Sequence, residues 1–395
     1  MKKFLSLVFI VFSALSLNAQ WQQTSCQAGT GEMIMSLVAS GSNVYTCIDV
    51  AGVKKSSDNG TSWNFANTGL AADNFNALTI SNSNVFIATD SGVFRSGDNG
   101  STWNPVNTGL TQTFTFAMAC NAGRIYASGG LGHLFYSDNE GSNWTEISNG
   151  LPSDVSYTSM IFGLGFNNST IYAGLGAGVY KSTDQGLNWN LSSNGISEFN
   201  VIPAFAIMGN NVLAGTDNGL YISSDSGANW TPVDLGFSYV SVYALKQEGA
   251  TLYMGTNEGI FRSFDNGLVW DSINTGLTGR NIQALAVSDS YLFAYERTSG
   301  IWRRPLSEVQ GIADQTLTQV PIITPNPNHG KFTINSADEI DFIEVYNLLG
   351  EQIFAESCIK QQTQKEIVIP GASKGVYFVK ISGKEKTFTT KIVIQ

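Results

Sequence analysis

Histidine is nearly missing: His133 and His329 are the only two in 395 residues. A Ser-His-Asp triad needs one placed imidazole and a histidine-rich metal site needs several, so both chemistries lack their material, and no cofactor or metal is expected. Cysteine is sparse as well. Cys26, Cys47, Cys120 and Cys358 show no C-x-x-C spacing, which argues against a zinc site. Cys26 with Cys47 is the one pair worth testing for a bridge, with buried free thiols as the alternative. Charged residues make up only 13%, about half the usual share. Bases are the rarer sign: the net charge is −10, and residues 20–310 hold 22 acids against 11 bases. Such a body repels a phosphate backbone, so nucleic acid is not an expected partner.

Long apolar runs are absent beyond the first residues. Lys2 and Lys3 precede an apolar stretch from Phe4 to Leu17, and Leu17-Asn18-Ala19 offers a small residue at a cut. Residues 1–19 therefore read as a secretory signal peptide that leaves Gln20 first. The rival, a membrane anchor, would need about 20 apolar residues. No cysteine follows the cut, which argues against a lipoprotein.

Glycine and aromatics are plentiful, with 41 glycines and 11% Phe, Trp and Tyr. Short strands joined by tight turns use both, so the expected class is all-β. One turn recurs: Ser56-Ser57-Asp58-Asn59-Gly60-Thr61-Ser62-Trp63 returns around Asp98 and Trp103, Asp184 and Trp189, Asp225 and Trp230, and Asp265 and Trp270. A sixth copy carries Asn139 with Trp144. The tryptophans stand 40, 41, 45, 41 and 40 residues apart, and a glycine follows each by six (Gly69, Gly109, Gly150, Gly195, Gly236, Gly276). Apolar alternation around each turn gives four short strands per period, the signature of a propeller blade. Residues Tyr291 to Leu306 form a seventh unit without the turn, and Trp21 lies 42 residues before Trp63. Seven blades are expected, closed by residues near 21–27 supplying the last blade's outer strand. In each turn the Asp is expected to accept from backbone N–H groups two residues on, and the tryptophan to bury against the neighbouring blade.

These turns resemble the Asp-box (BNR) repeats of sialidase-like, sortilin-like and xyloglucanase-like propellers, in which they are structural. The resemblance covers about 290 residues and implies the fold. A calcium reading of the turns fails, because one carboxylate per loop falls short of the oxygens such a site needs.

Four of nine prolines (Pro305, Pro321, Pro325, Pro327) cluster where the repeat stops, so residues 20–309 are expected as the propeller and 310–324 as a linker. Residues 325–395 then read as a small β-sandwich. Its order looks like a type A sorting domain: Pro325-Asn326-Pro327-Asn328-His329-Gly330, then Val345-Tyr346-Asn347, then Lys374-Gly375-Val376-Tyr377 and a terminal Lys391-Ile392-Val393. Such domains direct Bacteroidota proteins through the type IX secretion system. The resemblance implies that machinery as a partner, with the propeller released or displayed at the outer-membrane surface. A carbohydrate-binding sandwich is the alternative.

Chemistry is harder to find. Gly371-Ala372-Ser373-Lys374-Gly375 fits G-x-S-x-G, but a strand follows where a nucleophile elbow needs a helix. The sialidase resemblance implies three arginines on one carboxylate, whereas only Arg280 and Arg297 fall opposite the Asp turns, where propeller sites lie. Other glycosidases need two carboxylates roughly 5–10 Å apart. Asp73, Asp154, Glu198 and Glu296 are the candidates, while Asp90, Asp217 and Glu258 share one turn register that turn chemistry explains. All eight tryptophans occupy repeat positions, so a ligand platform would use Phe75, Phe114, Phe116, Tyr157, Phe199, Phe237 or Tyr239. The Trp144–Trp189 period carries about five extra residues near Asp154, Tyr157 and Phe162, and insertions of this kind either build sites or vary freely. The expected function is an exported binding module for a glycan or extracellular protein, using Tyr157, Phe199, Tyr239 and Arg280. A glycoside hydrolase and an assembly factor for a surface complex are the alternatives.

Overall fold

The computed structural model describes residues 20–395 except 28, 30, 155–156, 168, 198–199, 210, 310–320, 327, 337–338, 348–349, 358–362, 384–386 and 395. The first expected segment, residues 1–19, lies outside the described residues. The chain divides between Gly311 and Ile312 into two units.

The first unit is a seven-bladed propeller of four-stranded antiparallel sheets. Blade 1 runs Ile34–Ser40, Asn43–Ile48, Gly52–Ser56 and Asn64–Phe65 from the axis outward, and blades 2 to 6 repeat that order. In blade 7, Ile282–Val287, Tyr291–Glu296 and Gly300–Pro305 are completed by Gln22–Gln23, which pairs Gln22 with Arg303 and Gln23 with Trp302. The first residues after the expected cut thus close the ring.

The Asp turns join the third and fourth strands. The serine at each turn's start is buried, and its hydroxyl does two jobs: Ser56 Oγ donates to Asp58 Oδ1 (2.7 Å) and accepts from Gly60 N (2.8 Å). Asp58 Oδ1 accepts from Ser62 N (2.9 Å), and Oδ2 accepts from Ser62 Oγ (2.7 Å). The carboxylate therefore reaches four residues ahead, not two as expected, because two consecutive left-handed residues, Asn59 and Gly60, turn that amide back. The same bonds recur at Asp98, Asp184 and Asp225. Asn139 accepts from Asn143 N in the same way.

Tryptophan burial follows a second rule. Trp103, Trp144, Trp189, Trp230 and Trp21 are all buried, and each indole N–H donates to a carbonyl of the preceding blade: Ala66, Val106, Ile147, Ser192 and Ile273. Their backbones press on the glycine six residues past the preceding tryptophan; a Cβ at Gly69, Gly109, Gly150 or Gly195 would collide with the carbonyl oxygen of the next blade's tryptophan. Trp63 and Trp270 depart from the expectation. They are half-buried, and their indoles donate inside their own turns, to Gly60 and Gly267. For Trp63 the cause is Gln27, which stands where the glycine should be, six residues after Trp21. For Trp270 it is the corner of blade 5. There Asp234 bonds Gly236 N, whereas Asn67 and Asn107 at the matching position hold Val53 N and Val93 N. A carboxylate cannot be both donor and acceptor as those amides are, and Gly236 faces open space.

The Cys26–Cys47 pairing is not formed: both are free, buried thiols. They belong to different blade interfaces, Cys26 packing with Phe293 and Ile34, and Cys47 with Phe75 and Trp103. Burial pushes the Cys26 thiol up to about 12 and raises Cys47 further. Cys358 lies outside the described residues.

The second unit is a sandwich of a three-stranded sheet (Ile322–Thr324, Lys331–Asn335, Gln364–Val368) and a four-stranded one (Phe342–Asn347, Gln352–Ser357, Gly375–Ser382, Thr387–Ile394). Phe332, Ile343, Val379 and Ile392 are among its core. The strand Ile322–Thr324 falls inside the stretch read as linker.

Candidate functional site: the face opposite the Asp turns

This face is built from the turns between second and third strands and from the connections between blades. The first turn residue ties the two together. Its side chain accepts from the connection (Asp49 from Met33 N, Asp90 from Asp73 N, Asp217 from Val201 N, Asn257 from Ser241 N), and its own N–H donates back to the same stretch. Turn chemistry thus accounts for Asp90 and Asp217. Glu258 does not share their register as expected; Asn257 holds that slot, and Glu258 donates its N–H to Thr256 Oγ1.

The described candidate carboxylates stand apart, two on separate blade junctions and one within a blade. Asp73 is exposed between blades 1 and 2, and Asp154 is exposed between blades 3 and 4. Glu296 lies in blade 7, almost fully buried, where blades 2, 5 and 6 carry Thr89, Thr216 and Thr256. Its Oε2 accepts from Thr298 N and Oγ1 and from Ser299 N and Oγ. Burial pushes this carboxyl up, but those four donors outweigh it and hold it below the usual range. Glu198 and Phe199 lie outside the described residues. Arg280 is exposed on the connection from blade 6 to blade 7. Arg95, Arg262 and Arg303 serve the opposite face, donating to the carbonyls of Glu140, Val309 and Asn59; in Arg95 and Arg303 this locks one blade to the next blade's turn.

Aromatic side chains gather over blades 3 to 6. The inserted connection contains a short 3₁₀ turn, Tyr157–Ser159, pinned by Ser159 Oγ donating to the Asp154 carbonyl (2.6 Å). Tyr157 is 60% exposed, and its ring lies 4.9 Å from that of Phe162, which meets Phe116 edge-on at 5.7 Å. Partial burial at its oxygen, then the Asp217 charge, raise the Tyr157 phenol above its ordinary value. Tyr239, 58% exposed, has its hydroxyl 3.1 Å from Ser241 Oγ, which donates to the Asp217 carbonyl (2.9 Å). Two expected ligand residues are thus tied to Asp217 by different routes, Tyr157 through its charge and Tyr239 through its main chain, and burial pushes the Asp217 carboxyl up. Of the other aromatics, Phe114 and Phe237 are exposed and Phe75 is core. Phe162 and Tyr243 also line a channel along the axis, about 530 Å³ in volume. Among the described residues, no group of three His, Cys, Asp or Glu could hold a metal.

In the sandwich, Asn326 clamps the last strand, Nδ2 donating to Lys391 O (3.0 Å) and Oδ1 accepting from Val393 N (2.8 Å). Gly330 takes a left-handed φ of 82° and donates its N–H to Asn328 Oδ1, and Tyr377 Oη donates to Ser373 O near Gly375. Pro325 joins Thr324 through a cis bond, and Pro327 lies outside the described residues.

Residues 323–395 match the secretion system C-terminal sorting domain family, and residues 18–175 match the DUF6242 beta propeller domain. No curated protein matches the chain. Among solved structures it resembles PorZ, a surface component of the type-IX secretion system of Porphyromonas gingivalis, at 14% identity and a TM-score of 0.55, over 95% of this chain and 61% of that one. It also resembles YCF48 from Cyanidioschyzon merolae (16%, TM-score 0.54, 73% of this chain and 98% of that one). An ancestral GH74 enzyme is similar at 16% identity and a TM-score of 0.56, over 94% and 63% of the two chains. The chain thus spans about three fifths of the length of the first and third of these. It is a β-propeller protein with a type IX sorting tail, and that tail implies secretion or attachment at the cell surface. Among the described residues, no helix is long and apolar enough to cross a membrane.

Proposed function

We propose that the propeller is a binding module, exported through the type IX system, that takes a neutral or cationic ligand on the face opposite the Asp turns. Residues 1–19 start export, 20–309 bind, 310–324 link except for the strand Ile322–Thr324, and that strand with 325–395 addresses the secretion machinery. The observation that carries the binding role is the pair of exposed tyrosines on this face, Tyr157, whose phenol feels the Asp217 charge, and Tyr239, which reaches the Asp217 carbonyl through Ser241. Rings held open to water beside a carboxylate suit stacking on a sugar or on an extended protein segment. Arg280 stands in a connection on the same face, and Phe199 is assigned to it from the sequence alone. Catalysis is the weaker reading, because Asp73 and Asp154 stand on different junctions and Glu296, inside blade 7, is spent on its turn.

The ligand is a glycan or an extracellular protein. YCF48 has been solved with a bound peptide, which supports a propeller of this fold accepting an extended segment. The test is time-resolved binding of the purified protein to a broad glycan array and to cell-surface extracts. Stable binding should weaken roughly tenfold in Tyr157→Ala and in Tyr239→Ala, from about 1.4 kcal/mol per ring. Signal that appears and then decays, with sugar released, would instead establish hydrolysis. Co-purification of a fixed set of surface proteins, insensitive to both substitutions, would favour an assembly role.

A further inference from the structure

The four-stranded sheet of the sandwich turns one face to the core and the other to solvent. Val345, Tyr377, Val379 and Ile392 are core, so strand alternation points Tyr346, Phe378 and Lys391 outward. The register lines these three up: Tyr346 stands opposite Phe378, and Phe378 opposite Lys391. On the fourth strand, Ile353 is the residue skipped between the partners of Val345 and Tyr346, and it is exposed. A band thus crosses the sheet from edge to edge, about 14 Å wide at three strand spacings, and reads aliphatic, aromatic, aromatic, cation. Pairing with Tyr346 covers part of the Phe378 ring but leaves 39% of the residue in solvent. The neighbouring row satisfies itself, since Glu344 accepts from the Tyr346 hydroxyl (2.6 Å) and pairs with Lys380 (2.9 Å). Lys391, by contrast, pairs with no carboxylate among the described residues, although Asn326 fixes its main chain. The outward side of the three-stranded sheet differs: Lys331 pairs there with Glu366 (3.1 Å), and its exposed apolar side chain, Val368, lies on an edge strand.

An exposed ring in the middle of a sheet, beside an unpaired ammonium on a fixed main chain, matches a partner that brings an apolar side chain and a carboxylate together. The partner that residues 323–395 imply is the secretion machinery. We propose that the outward face of the four-stranded sheet, around Phe378 and Lys391, is the surface by which the tail is read, docking on a machinery component that presents an apolar side chain with a carboxylate beside it. This rests on the reading that residues 322–395 address that machinery, and adds which surface does so. The charge balance of the chain favours an acidic receptor. Residues 20–310 hold 22 acids and 11 bases, whereas 311–395 hold 9 and 8, so such a receptor repels the propeller and admits the tail.

The experiment is export of the full chain in a host with a type IX system, reading the fraction that reaches the cell surface or the medium. The thermal midpoint of each purified full chain checks its folding. Phe378→Thr and Lys391→Glu should each cut the exported fraction roughly tenfold, with precursor held in the periplasm and midpoints at the wild-type value. Lys391→Arg, which keeps the charge, and Val368→Thr, on the other sheet, should export normally. Normal export of Phe378→Thr and Lys391→Glu, in a host where deletion of residues 322–395 abolishes export, would overturn this surface. An equal loss in Val368→Thr would overturn the choice of face, and an equal loss in Lys391→Arg the carboxylate. Export that survives the deletion would instead overturn the reading on which the proposal rests. Should Phe378→Thr lower the midpoint, Lys391→Glu against Lys391→Arg decides, because an outward lysine fills no core.

Discussion

Each Asp turn stores an acid in a cage of donors. At Asp225 the Asn229 side chain, then the Asn229 N–H and the Ser223 hydroxyl, hold the carboxyl down to about 2; at Asp58 the Ser62 side chain and N–H with Ser56 do the same, also to about 2. Asp98 and Asp184 are lowered by the same arrangement. A carboxyl depressed in the folded state stabilises fully above its unfolded value, near 4, and loses that contribution as pH falls toward 2. Thermal midpoints should therefore drop steeply between pH 4 and 2. Asp225→Asn should flatten that drop by lowering the midpoint at pH 7 toward its acid value, since an amide can keep the N–H bond, as Asn139 does, but cannot accept from the Asn229 side chain. Midpoints measured from pH 6 to 2 on both proteins decide this, and parallel curves would refute it. Ser223→Ala is the harsher change: it strips a buried hydroxyl that serves both Asp225 and Gly227 N, with an expected loss of about 1–3 kcal/mol at any pH.

Between blades, one glycine receives one tryptophan backbone. Gly195 and Gly236 occupy the same repeat position, both with φ in the left-handed region (97° and 76°). An alanine at either meets a left-handed penalty of about 1–2 kcal/mol. Only Gly195 adds a collision, with the Trp230 carbonyl oxygen, for about 1–3 kcal/mol more. Unfolding of the two alanine variants should show Gly195→Ala losing roughly twice as much; equal losses would mean that the glycine–tryptophan fit is not what joins the blades. The spacing of Trp63, Trp103, Trp144, Trp189, Trp230 and Trp270 made the blades legible, because the outer turn uses one indole per period. Which indoles lock was only half legible. Gln27 in place of a glycine marks Trp63 in the sequence itself, but Gly236 is present and fails for a reason three-dimensional in kind, the turning-in of Asp234. The exposure of Tyr157 and Tyr239 was legible, because both lie in connections. Asp217 was visible too, but its turn register gave it a structural explanation, and only the fold shows Ser241 joining its carbonyl to Tyr239.

For the whole propeller, the weakest joint in a ring of blades is where chain end meets chain start. Chain termini usually fray, having few contacts to hold them. Here Trp21 is buried at 2% exposure, donates its indole N–H to Ile273 O at 2.7 Å and its backbone N–H to Thr275 O, and packs with Ile260, Ile273 and Trp302. Gln22 and Gln23 then pair with blade 7, and Thr24 donates both N–H and hydroxyl to Ile301 O. The junction depends on this strand all the more because Trp63, across the seam, has no glycine to enter. Trp21→Ala should cost about 3–5 kcal/mol, as for a buried tryptophan anywhere in a core. Trp63→Ala, half-buried and bonded only within its own turn, should cost distinctly less, although it lies inside the chain and Trp21 at the mature protein's expected start. Denaturant unfolding of the two variants orders them, and the reverse order would show that the ring is closed without the N-terminal strand. The same logic ties folding to export: a propeller whose last blade is finished by its first residues cannot close until the chain from Trp21 to Arg303 is present as a whole.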